Sequence, residues 1–398
     1  MKILVLNGGS SGLKAQLRDF EGGSTPNTPL WDAEVDWGHS AGAADIHIRT
    51  AAGGDEKRTL AISSPADVLG PVLESLGDRK EVSAVGHRVV HGGRAFQKTT
   101  LITAEVRAAI GRMAEFAPEH NRLELEAIEA AEKVFGPEVP QIAVFDTAFH
   151  STMPEEAVVY PGPYEWLQHG VRRYGFHGIS HQYVSRRATQ VLERDPAELR
   201  LITCHLGNGA SLAAVRGGKS IDTTMGFTPL EGLMMGTRSG TIDPGIIIYL
   251  VRHRGYRADQ LDHILNKESG LKGVSGLSAD MRDILKAMQS GNARAKLAFD
   301  VYIHRLSREL GGMLASLGGV DALVFTAGIG ENAPLVRERA CANFSFLGLR
   351  IDNEKNALSP VDQDIAAADS KVRVLVIHTE EDLEIARECL KLIGGQNG

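Results

Sequence analysis

The chain has 398 residues, of which 43% are hydrophobic and 23% are charged, and its formal net charge is −7 at pH 7. This length favours two domains with separate cores, and the negative charge argues against nucleic acid or an anionic membrane as the main partner. Three widely spaced cysteines indicate neither a disulfide framework nor a zinc site. Because the apolar runs are too short for a signal peptide or a membrane span, we expect a cytoplasmic chain.

Four apolar runs, each predicted to be a strand, end on a cluster of polar residues. They are KILVLNGGSSGLK from Lys2, LITCHLGNGASL from Leu201, LVFTAGIGENAP from Leu323 and VLVIHTEED from Val374. A strand that leads through a Gly-rich turn into a helix directs backbone N–H groups and the helix dipole at an anion such as a nucleotide phosphate. If these strand ends converge, they make one active site.

The first half is predicted to begin with strands and to continue with alternating helices and strands. A strand that alternates apolar and acidic residues runs through 31–37, and the helix that begins at Ser64 and Pro65 ends at Gly77. Helices near 104–116 and 122–135 precede a strand that ends on Asp146.

The opening pattern returns in the second half, because strand, Asn, paired Gly and Ser recur at 206–212 as at 6–13. Helices are expected at about 279–290, with Ser278 as the N-cap, and at about 293–317. The echo predicts two α/β domains, 1–149 completed by a C-terminal helix at 383–398, and 150–382, with a ligand cleft between them.

Several residues at strand ends suit phosphate or metal chemistry. NGGSSGLK lacks the Gly-Lys-Ser/Thr ending of a Walker A loop, but Asn7, Ser10 and Lys14 within or beside it suit a metal and phosphates. Asp146 follows an apolar strand with no helix to cap, which favours a role in Mg²⁺ binding or positioning.

Glu381 has a competing structural interpretation, because Thr379 and Asp382 have the spacing of a capping box. Arg88 and Arg238 lie in bent Gly-rich segments, where a guanidinium can grip a carboxylate or phosphate with two hydrogen bonds. Each could instead be an ordinary surface arginine.

Taken together, the motifs resemble acetate kinase and its propionate kinase relatives, in order and over nearly the whole chain. The segments that carry the resemblance are GHRVVHGG, FDTAFH, YGFHGISH, HLGNGASL, MGFTPLEGLMMGTRSG, DPG, SADMRDI and FTAGIGEN. The resemblance implies a duplicated, actin-like and ribonuclease H-like α/β fold of two domains with a central cleft, as in sugar kinases, actin and heat-shock chaperones. It also implies a cytoplasmic homodimer that forms acetyl phosphate and ADP reversibly from acetate, with propionate as an alternative acid, and ATP, using Mg²⁺ or Mn²⁺.

By the same resemblance, the site residues take distinct roles. Asp146, His177 and Arg238 would be catalytic, Arg88 would bind the carboxylate, and Asn7 and Glu381 would bind the metal. Val90, Phe176 and Pro229 would line the acyl site. The nucleotide would contact Ser10, Lys14, His205, Leu206, Gly207, Asn208, Gly209, Asp280, Met281, Arg282, Gly328, Ile329, Gly330, Glu331 and Asn332.

Three positions depart from the family pattern. Gly12 stands where relatives usually have Ser, and Thr241 replaces the usual Asp after Arg238. Glu119 occupies the place of a Leu that would line the acyl site, which leaves the acyl-chain preference open.

Two other classes of protein share this fold. A partner-driven nucleotide switch would need a partner-binding segment, which the sequence does not suggest. A sugar or polyol kinase would need a catalytic base for a hydroxyl group, whereas two arginines and several histidines favour an anionic acceptor.

Overall fold

The computed structural model describes residues 1–9, 12–20, 28–37, 42–77, 79–113, 118–358 and 361–394, with the backbone alone at 118–122. The chain divides into two compact units. Unit 1 comprises Met1–Ala148 and Glu380–Gly398, and unit 2 comprises Phe149–Thr379.

The described part of unit 1 contains an eight-stranded sheet. Its strands are β1 Lys2–Gly8, β2 Gly12–Asp19, β3 Trp31–Asp36, β4 Ala43–Thr50, β5 Asp55–Ala61, β6 Val82–Val89, β7 Thr100–Leu101 and β8 Gln141–Phe145. Their order is β5-β4-β3-β2-β1-β6-β8-β7. Because β1, β6 and β8 run parallel, their carboxyl ends lie together at one end of the sheet.

Among the described residues before β8, unit 1 has three α-helices: α1 Leu69–Glu74, α2 Ala104–Arg112 and α3 Pro118–Phe135. The alternation at 31–37 produces the predicted half-buried strand, since Trp31, Ala33 and Val35 all face the core. The predicted helix after Ser64 begins as a 3-10 turn at Pro65–Val68 before it becomes α1.

The described part of unit 2 contains a six-stranded sheet. Its strands are β9 Arg200–Leu206, β10 Ala210–Arg216, β11 Lys219–Thr223, β12 Ala322–Thr326, β13 Gln363–Asp364 and β14 Arg373–Val376, in the order β11-β10-β9-β12-β14-β13. Each unit begins with successive antiparallel strands, five in unit 1 and three in unit 2, and continues with two strands parallel to the first, β6 and β8 in unit 1 and β12 and β14 in unit 2. This repeated order confirms the prediction of a duplicated α/β fold.

The helices of unit 2 lie before β9, between β11 and β12, and between β12 and β13. They are α4 Glu155–Val158, α5 Glu165–Gln168, α6 Gly178–Leu192, α7 Pro244–Arg254, α8 Ala258–Lys267, α9 Gly270–Ser275, α10 Met281–Gln289, α11 Ala293–Leu317, α12 Ala327–Asn332, α13 Pro334–Ala342 and α14 Asn353–Ala357. The last helix, α15 Glu381–Gly394, returns to unit 1 and packs on β1, β2 and β6. Within the described ranges, none of the helices combines the length and apolar character that a bilayer crossing requires.

The expected helix dipole is present at only two of the four predicted strand ends. The Gly-rich turns after β1 and β9 lead into the antiparallel strands β2 and β10, so no helix dipole points from them. The residues after the first turn, Leu13, Ala15 and Leu17, are buried at every second position, which is the period of a strand. Only β12 and β14 lead into helices, α12 and α15.

The N-cap of α10 also differs from the prediction. Asp280, and not Ser278, occupies the N-cap, and its carboxylate accepts from the backbone N–H of Arg282 at 2.8 Å. The Ser278 hydroxyl oxygen instead accepts from the backbone N–H of Asp280 at 3.0 Å.

Candidate active site

Arg88 and Asp146 form an ion pair at the carboxyl ends of neighbouring strands of unit 1. Arg88 lies in β6, and Asp146 directly follows β8. One Nη of Arg88 donates to Oδ2 of Asp146 at 2.8 Å, and the other donates to the carbonyl oxygen of Gly8 at 2.9 Å. The side chains of Arg88 and Asp146 are 15% and 2% exposed, so the pair is nearly removed from water.

The surroundings of Arg88 keep it charged. Burial alone would lower the pKa of Arg88, but the negative charges of Asp146 and Glu381 outweigh burial and raise that pKa. In the part of the chain that the structure describes, neither Nε of Arg88 nor Oδ1 of Asp146 has a hydrogen-bond partner, although both atoms are buried. Buried polar atoms are nearly always bonded, so the pair retains one donor and one acceptor for a ligand.

Asn7 and Glu381 lie side by side at the same end of the sheet. The Asn7 side-chain amide donates to Oδ1 of Asp382 at 2.8 Å and approaches Oε2 of Glu381 at 3.4 Å. Lys14 is exposed on β2 and pairs with Asn7 in the strand register. The structure therefore brings together three residues that the sequence analysis assigned to metal and phosphate binding.

Asp382 lies beside Asn7, and sequence reasoning did not identify it as a candidate because it was interpreted as part of a capping box. Its carboxylate is buried and accepts from Asn7. Burial raises the pKa of Asp382 to about 6, against the opposing effects of Asn7 and Lys14. The signal in the sequence was the acidic pair of Glu381 and Asp382 directly after an apolar strand.

The donors around Asn7 suit a hard cation. Carboxylate and amide oxygens are the ligands that Mg²⁺ prefers, and Mg²⁺ usually takes only one or two carboxylates in addition to substrate phosphates and waters. Within the described residues, no group of three or more His, Cys, Asp or Glu side chains could hold a metal ion alone. Asn7, Glu381 and Asp382 therefore fit a magnesium ion that shares its coordination with a phosphate.

Glu124 is a second residue that the sequence analysis missed. It lies in α3 with 3% exposure, and its Oε1 accepts from the backbone N–H of Val90 at 2.8 Å. Burial raises the pKa of Glu124 to about 8, although the Val90 N–H and Arg88 oppose that shift. Glu124 therefore fixes the position of Val90, which was predicted to line the acyl site.

In unit 2, the turn of the β9–β10 hairpin at 207–209 contacts a second Gly-rich loop at Gly236. The turn closes with a bond from the N–H of Gly207 to the carbonyl oxygen of Gly209 at 3.0 Å. The N–H of Gly236 donates to the carbonyl oxygen of Asn208 at 3.0 Å, and a Cβ at position 236 would lie 2.1 Å from Oδ1 of Asn208. A side chain at 236 would therefore displace the Asn208 amide from this position.

His177 and Arg238 line the space beside the same hairpin. A Cβ placed on Gly209 would lie 3.4 Å from Nη1 of Arg238 and 3.4 Å from Nε2 of His177. The ring of His177 stacks on that of His205 with centroids 4.2 Å apart. Arg238 also donates to the carbonyl oxygen of Pro229 at 3.3 Å. Phe176, which precedes His177, is fully buried in unit 2.

Glu331 braces the turn between β12 and α12. Its Oε1 accepts from the N–H of Ala327 at 2.8 Å, and its Oε2 bonds Nδ1 of His378 at 2.7 Å. Burial would raise the pKa of Glu331, but His378 and the backbone donors outweigh burial and lower it. Ala327 has a left-handed backbone with φ of +65°. The Glu331 carboxylate thus organises the turn that the resemblance assigns to the nucleotide.

Arg337 also holds the turn between β12 and α12 through hydrogen bonds. The sequence analysis did not identify this arginine. Its guanidinium is fully buried and donates to the carbonyl oxygens of Gly330 at 2.8 Å and Glu331 at 2.7 Å. It also donates to the side chain and backbone oxygens of Asn356 at 2.7 and 2.8 Å. Burial lowers the pKa of Arg337 to about 10, so it stays charged at neutral pH.

Asp280, Met281 and Arg282, which were predicted to contact the nucleotide, have different surroundings at the start of α10. Met281 packs into the core, whereas the side chain of Arg282 is 89% exposed. Arg282 donates through Nε to Asp280 at 3.0 Å.

The structure explains two of the departures from the family pattern. A Cβ at Gly12 would lie 2.4 Å from the carbonyl oxygen of Val35, so β3 packs too closely for a side chain there. The N–H of Thr241 donates to the carbonyl oxygen of Gly232 at 2.9 Å. In return, the N–H of Gly232 donates to the hydroxyl oxygen of Thr241 at 3.0 Å. Thr241 thereby closes the loop that carries Arg238. Ser10 and the Glu119 side chain lie outside the described residues.

Comparison with known proteins finds similarity to acetate kinases over nearly the whole chain. The acetokinase family model matches residues 2–387. The acetate kinase of Gloeobacter violaceus is 59% identical over 400 residues, which cover 98% of each chain. That of a Cyanothece species is 56% identical over 403 residues, covering 99% of this chain and 98% of that one.

Solved structures agree with these relatives. The crystal structure of Porphyromonas gingivalis acetate kinase superposes with a TM-score of 0.87 at 40% identity and covers 98% of this chain and 99% of that chain. A propionate kinase from Francisella tularensis gives a TM-score of 0.88 at 39% identity and covers 97% and 98%. The resemblance found in the motifs is thus confirmed, and the chain belongs to the acetokinase family.

Proposed function

We propose that this chain is a carboxylate kinase that transfers the terminal phosphoryl group of ATP reversibly to acetate, giving acetyl phosphate and ADP. The observation that carries the proposal is the buried Arg88 of an acetokinase-family chain, which Asp146 and Gly8 fix while its Nε–H stays available to an anion. A guanidinium fixed in this way recognises a carboxylate well.

Unit 1 would bind the acid and part of the phosphate chain. Acetate, with a pKa of about 4 by analogy with Asp and Glu side chains, is already an anion at neutral pH and needs no general base. Asp146 would therefore orient Arg88 and present its second oxygen to the reacting groups, rather than remove a proton. Lys14 would contact the phosphates.

Unit 2 would stabilise the phosphoryl group in flight. Charge on the equatorial oxygens of a transferring phosphoryl group is stabilised mainly by fixed cations and hydrogen-bond donors. His177 and Arg238, which share the space beside Gly209, supply such groups. The hairpin at 205–209, the start of α10 and the turn at 328–332 would hold the nucleotide.

A Mg²⁺ ion, or Mn²⁺ in its place, would be held by Asn7 and Glu381 with Asp382 beside them. When bound, the ion neutralises phosphate charge and aligns the phosphate chain. The chain's own contribution is the fixed geometry of the Asn7 amide, which Asp382 holds at 2.8 Å.

The acid could be acetate or propionate, because both kinases share this fold. Val90, Phe176 and Pro229 would supply apolar contacts to the acyl group, as the family resemblance implies. We propose acetate as the preferred acid.

We further propose that the chain forms a homodimer in the cytoplasm, where ATP is available. Helix α7 supports the dimer because none of its eleven residues is buried, although it contains a run of apolar side chains. Four of these are well exposed: Ile246, Ile248, Tyr249 and Val251. A second copy of the chain would cover them.

Trapping acyl phosphate as the hydroxamate, together with ADP release, tests the proposed reaction. Acetate, propionate and butyrate are compared at fixed ATP and Mg²⁺. We expect acid-dependent ADP formation with acetate preferred. Arg88→Lys keeps the charge but loses the planar fork, so we expect the KM for acetate to rise roughly tenfold or more with little change in the KM for ATP.

Arg49→Lys is the matched control, because Arg49 also bonds a strand aspartate of unit 1, Asp32, at 3.0 Å through Nε. It should keep wild-type kinetics. ADP formation that does not depend on any carboxylic acid would refute the proposal and favour a nucleotide switch, whereas dependence on a sugar or polyol would favour the other alternative.

A further inference from the structure

A chain of four polar side chains lies beneath the predicted phosphoryl site of unit 2. Nδ1 of His177 is 2.9 Å from Oγ of Ser211, which is 2.8 Å from Nε2 of His181. Nδ1 of His181 is 2.7 Å from Oγ1 of Thr203. Thr203, His181 and Ser211 are all fully buried.

His177, the first of these four hydrogen-bonded side chains, has an unusual backbone conformation. It forms the N-cap of α6 with φ of +58°, in the left-handed region. Residues other than glycine rarely adopt this conformation, because their Cβ crowds the following carbonyl oxygen. Such conformations persist where the surrounding structure requires them, often at functional sites.

We infer that the three hydrogen bonds that join these four side chains run in one direction, so that His181, Ser211 and Thr203 commit Nδ1 of His177 to be a proton donor. The hydroxyl of Thr203 has one proton, and we assign it to the carbonyl oxygen of Ala213, which lies 3.4 Å away and can only accept. Oγ1 of Thr203 must then accept from Nδ1–H of His181.

The remaining steps follow from proton counting. His181 is neutral, because burial holds its pKa well below the ordinary value. With its proton on Nδ1, its Nε2 accepts the proton of Ser211. Oγ of Ser211 then has only lone pairs for His177, so Nδ1 of His177 carries a proton.

This order has a consequence that rests on the proposed function. With Nδ1 committed as a donor, Nε2 of His177 carries a proton only when the ring is an imidazolium. The relay therefore makes the cationic ring the form that donates to the phosphoryl oxygens beside Arg238. Thr203, His181 and Ser211 are positioning residues that act through His177.

Histidine-selective ¹⁵N labelling of the full chain tests the order directly, since long-range ¹H–¹⁵N spectra distinguish the two tautomers. In the wild type, we expect protons on Nδ1 of both His177 and His181. In Thr203→Val, an isosteric change in β9, a proton on Nδ1 of His181 would be a buried donor without an acceptor. We expect both rings to move the proton to Nε2.

Thr203→Ser retains the hydroxyl and should keep the wild-type tautomers. His47, which pairs with Asp55 at 2.8 Å in unit 1, should not respond to either change. In the hydroxamate assay, Thr203→Val should lower kcat roughly tenfold with an unchanged KM for acetate, and Thr203→Ser should restore kcat.

Wild-type His181 with its proton on Nε2, or tautomers unchanged in Thr203→Val, would overturn the inference. These outcomes are independent of activity. Absence of acid-dependent ADP formation with the expected tautomers would refute the proposed function and leave the relay standing.

Discussion

The carboxyl group of Glu124 shows how one buried residue links the site to stability. Its folded-state pKa of about 8 exceeds the ordinary value of 4.5. The folded chain therefore holds a proton that the unfolded chain has released between about pH 4.5 and pH 8. The contribution of Glu124 to stability is full below the lower pH and is lost as the pH rises through the upper one.

Glu124→Gln cannot ionise, so we expect its stability to fall less with rising pH than that of the wild type. The variant should be the more stable protein at pH 8 and above, by a few kcal/mol at most. Urea unfolding at intervals from pH 5 to pH 9 measures the difference. Glu129→Gln, at an exposed position of α3, is the control. Parallel curves for wild type and Glu124→Gln would contradict the assigned pKa.

The sequence could reveal Arg88 and Asp146 but not Glu124. Arg88 lies in a short apolar strand and Asp146 directly follows one, and a charged residue is conspicuous in such a segment. Glu124 stands in the segment LELEAIEAAEK, which contains several acids at helical spacing. Which of those acids faces the core depends on the docking of α3 against β6, and the sequence pattern does not contain that information.

Helix α15 packs so closely on β6 that the strand has no room for a side chain at Gly86. A Cβ on Gly86 would lie 2.6 Å from Sγ of Cys389 and 3.0 Å from a methyl carbon of Ile385. Both partners belong to the buried face of α15. The absence of a side chain at position 86 therefore sets the distance between helix and sheet.

Gly86→Ala should destabilise the chain by about 1–3 kcal/mol, because overpacking forces the helix away from the sheet. Gly70→Ala is the matched control, since a Cβ there meets nothing within 4 Å and alanine favours a helix. Thermal or urea unfolding gives both values. Cys389→Ala should recover part of the loss in the double variant, and strict additivity of the two changes would argue against this contact.

Element types were predictable where periodicity was long, and connections were not. The alternation at 31–37 gave β3 correctly, whereas β2, which follows the turn after β1, was not predicted as a strand. Glycine-rich turns serve hairpins and helix starts equally well. The alternation of Leu13, Ala15 and Leu17 distinguished the two, but it extends over only a few residues.

At the scale of the whole molecule, α7 predicts self-association. Ile248 is 52% exposed in the middle of the helix. We expect the wild type to elute as a dimer at micromolar concentration in size-exclusion chromatography with light scattering. Ile248→Asp should shift it to the monomer, because a buried, unpaired charge is costly at an interface.

Phe346→Asp serves as the control, since Phe346 is also exposed but lies outside α7. It should remain dimeric. A wild-type monomer, or a dimer that persists in Ile248→Asp, would exclude α7 as the contact.

The return of α15 to unit 1 has a consequence for synthesis on the ribosome. Unit 2 is one continuous segment, whereas unit 1 lacks the helix that covers β1 and β6 until α15 emerges after unit 2. Translation of the intervening segment takes on the order of 10–50 s at cellular speeds. For that interval the nascent N-terminal sheet exposes an apolar face, so the later half of the polypeptide can complete its folding before the earlier half.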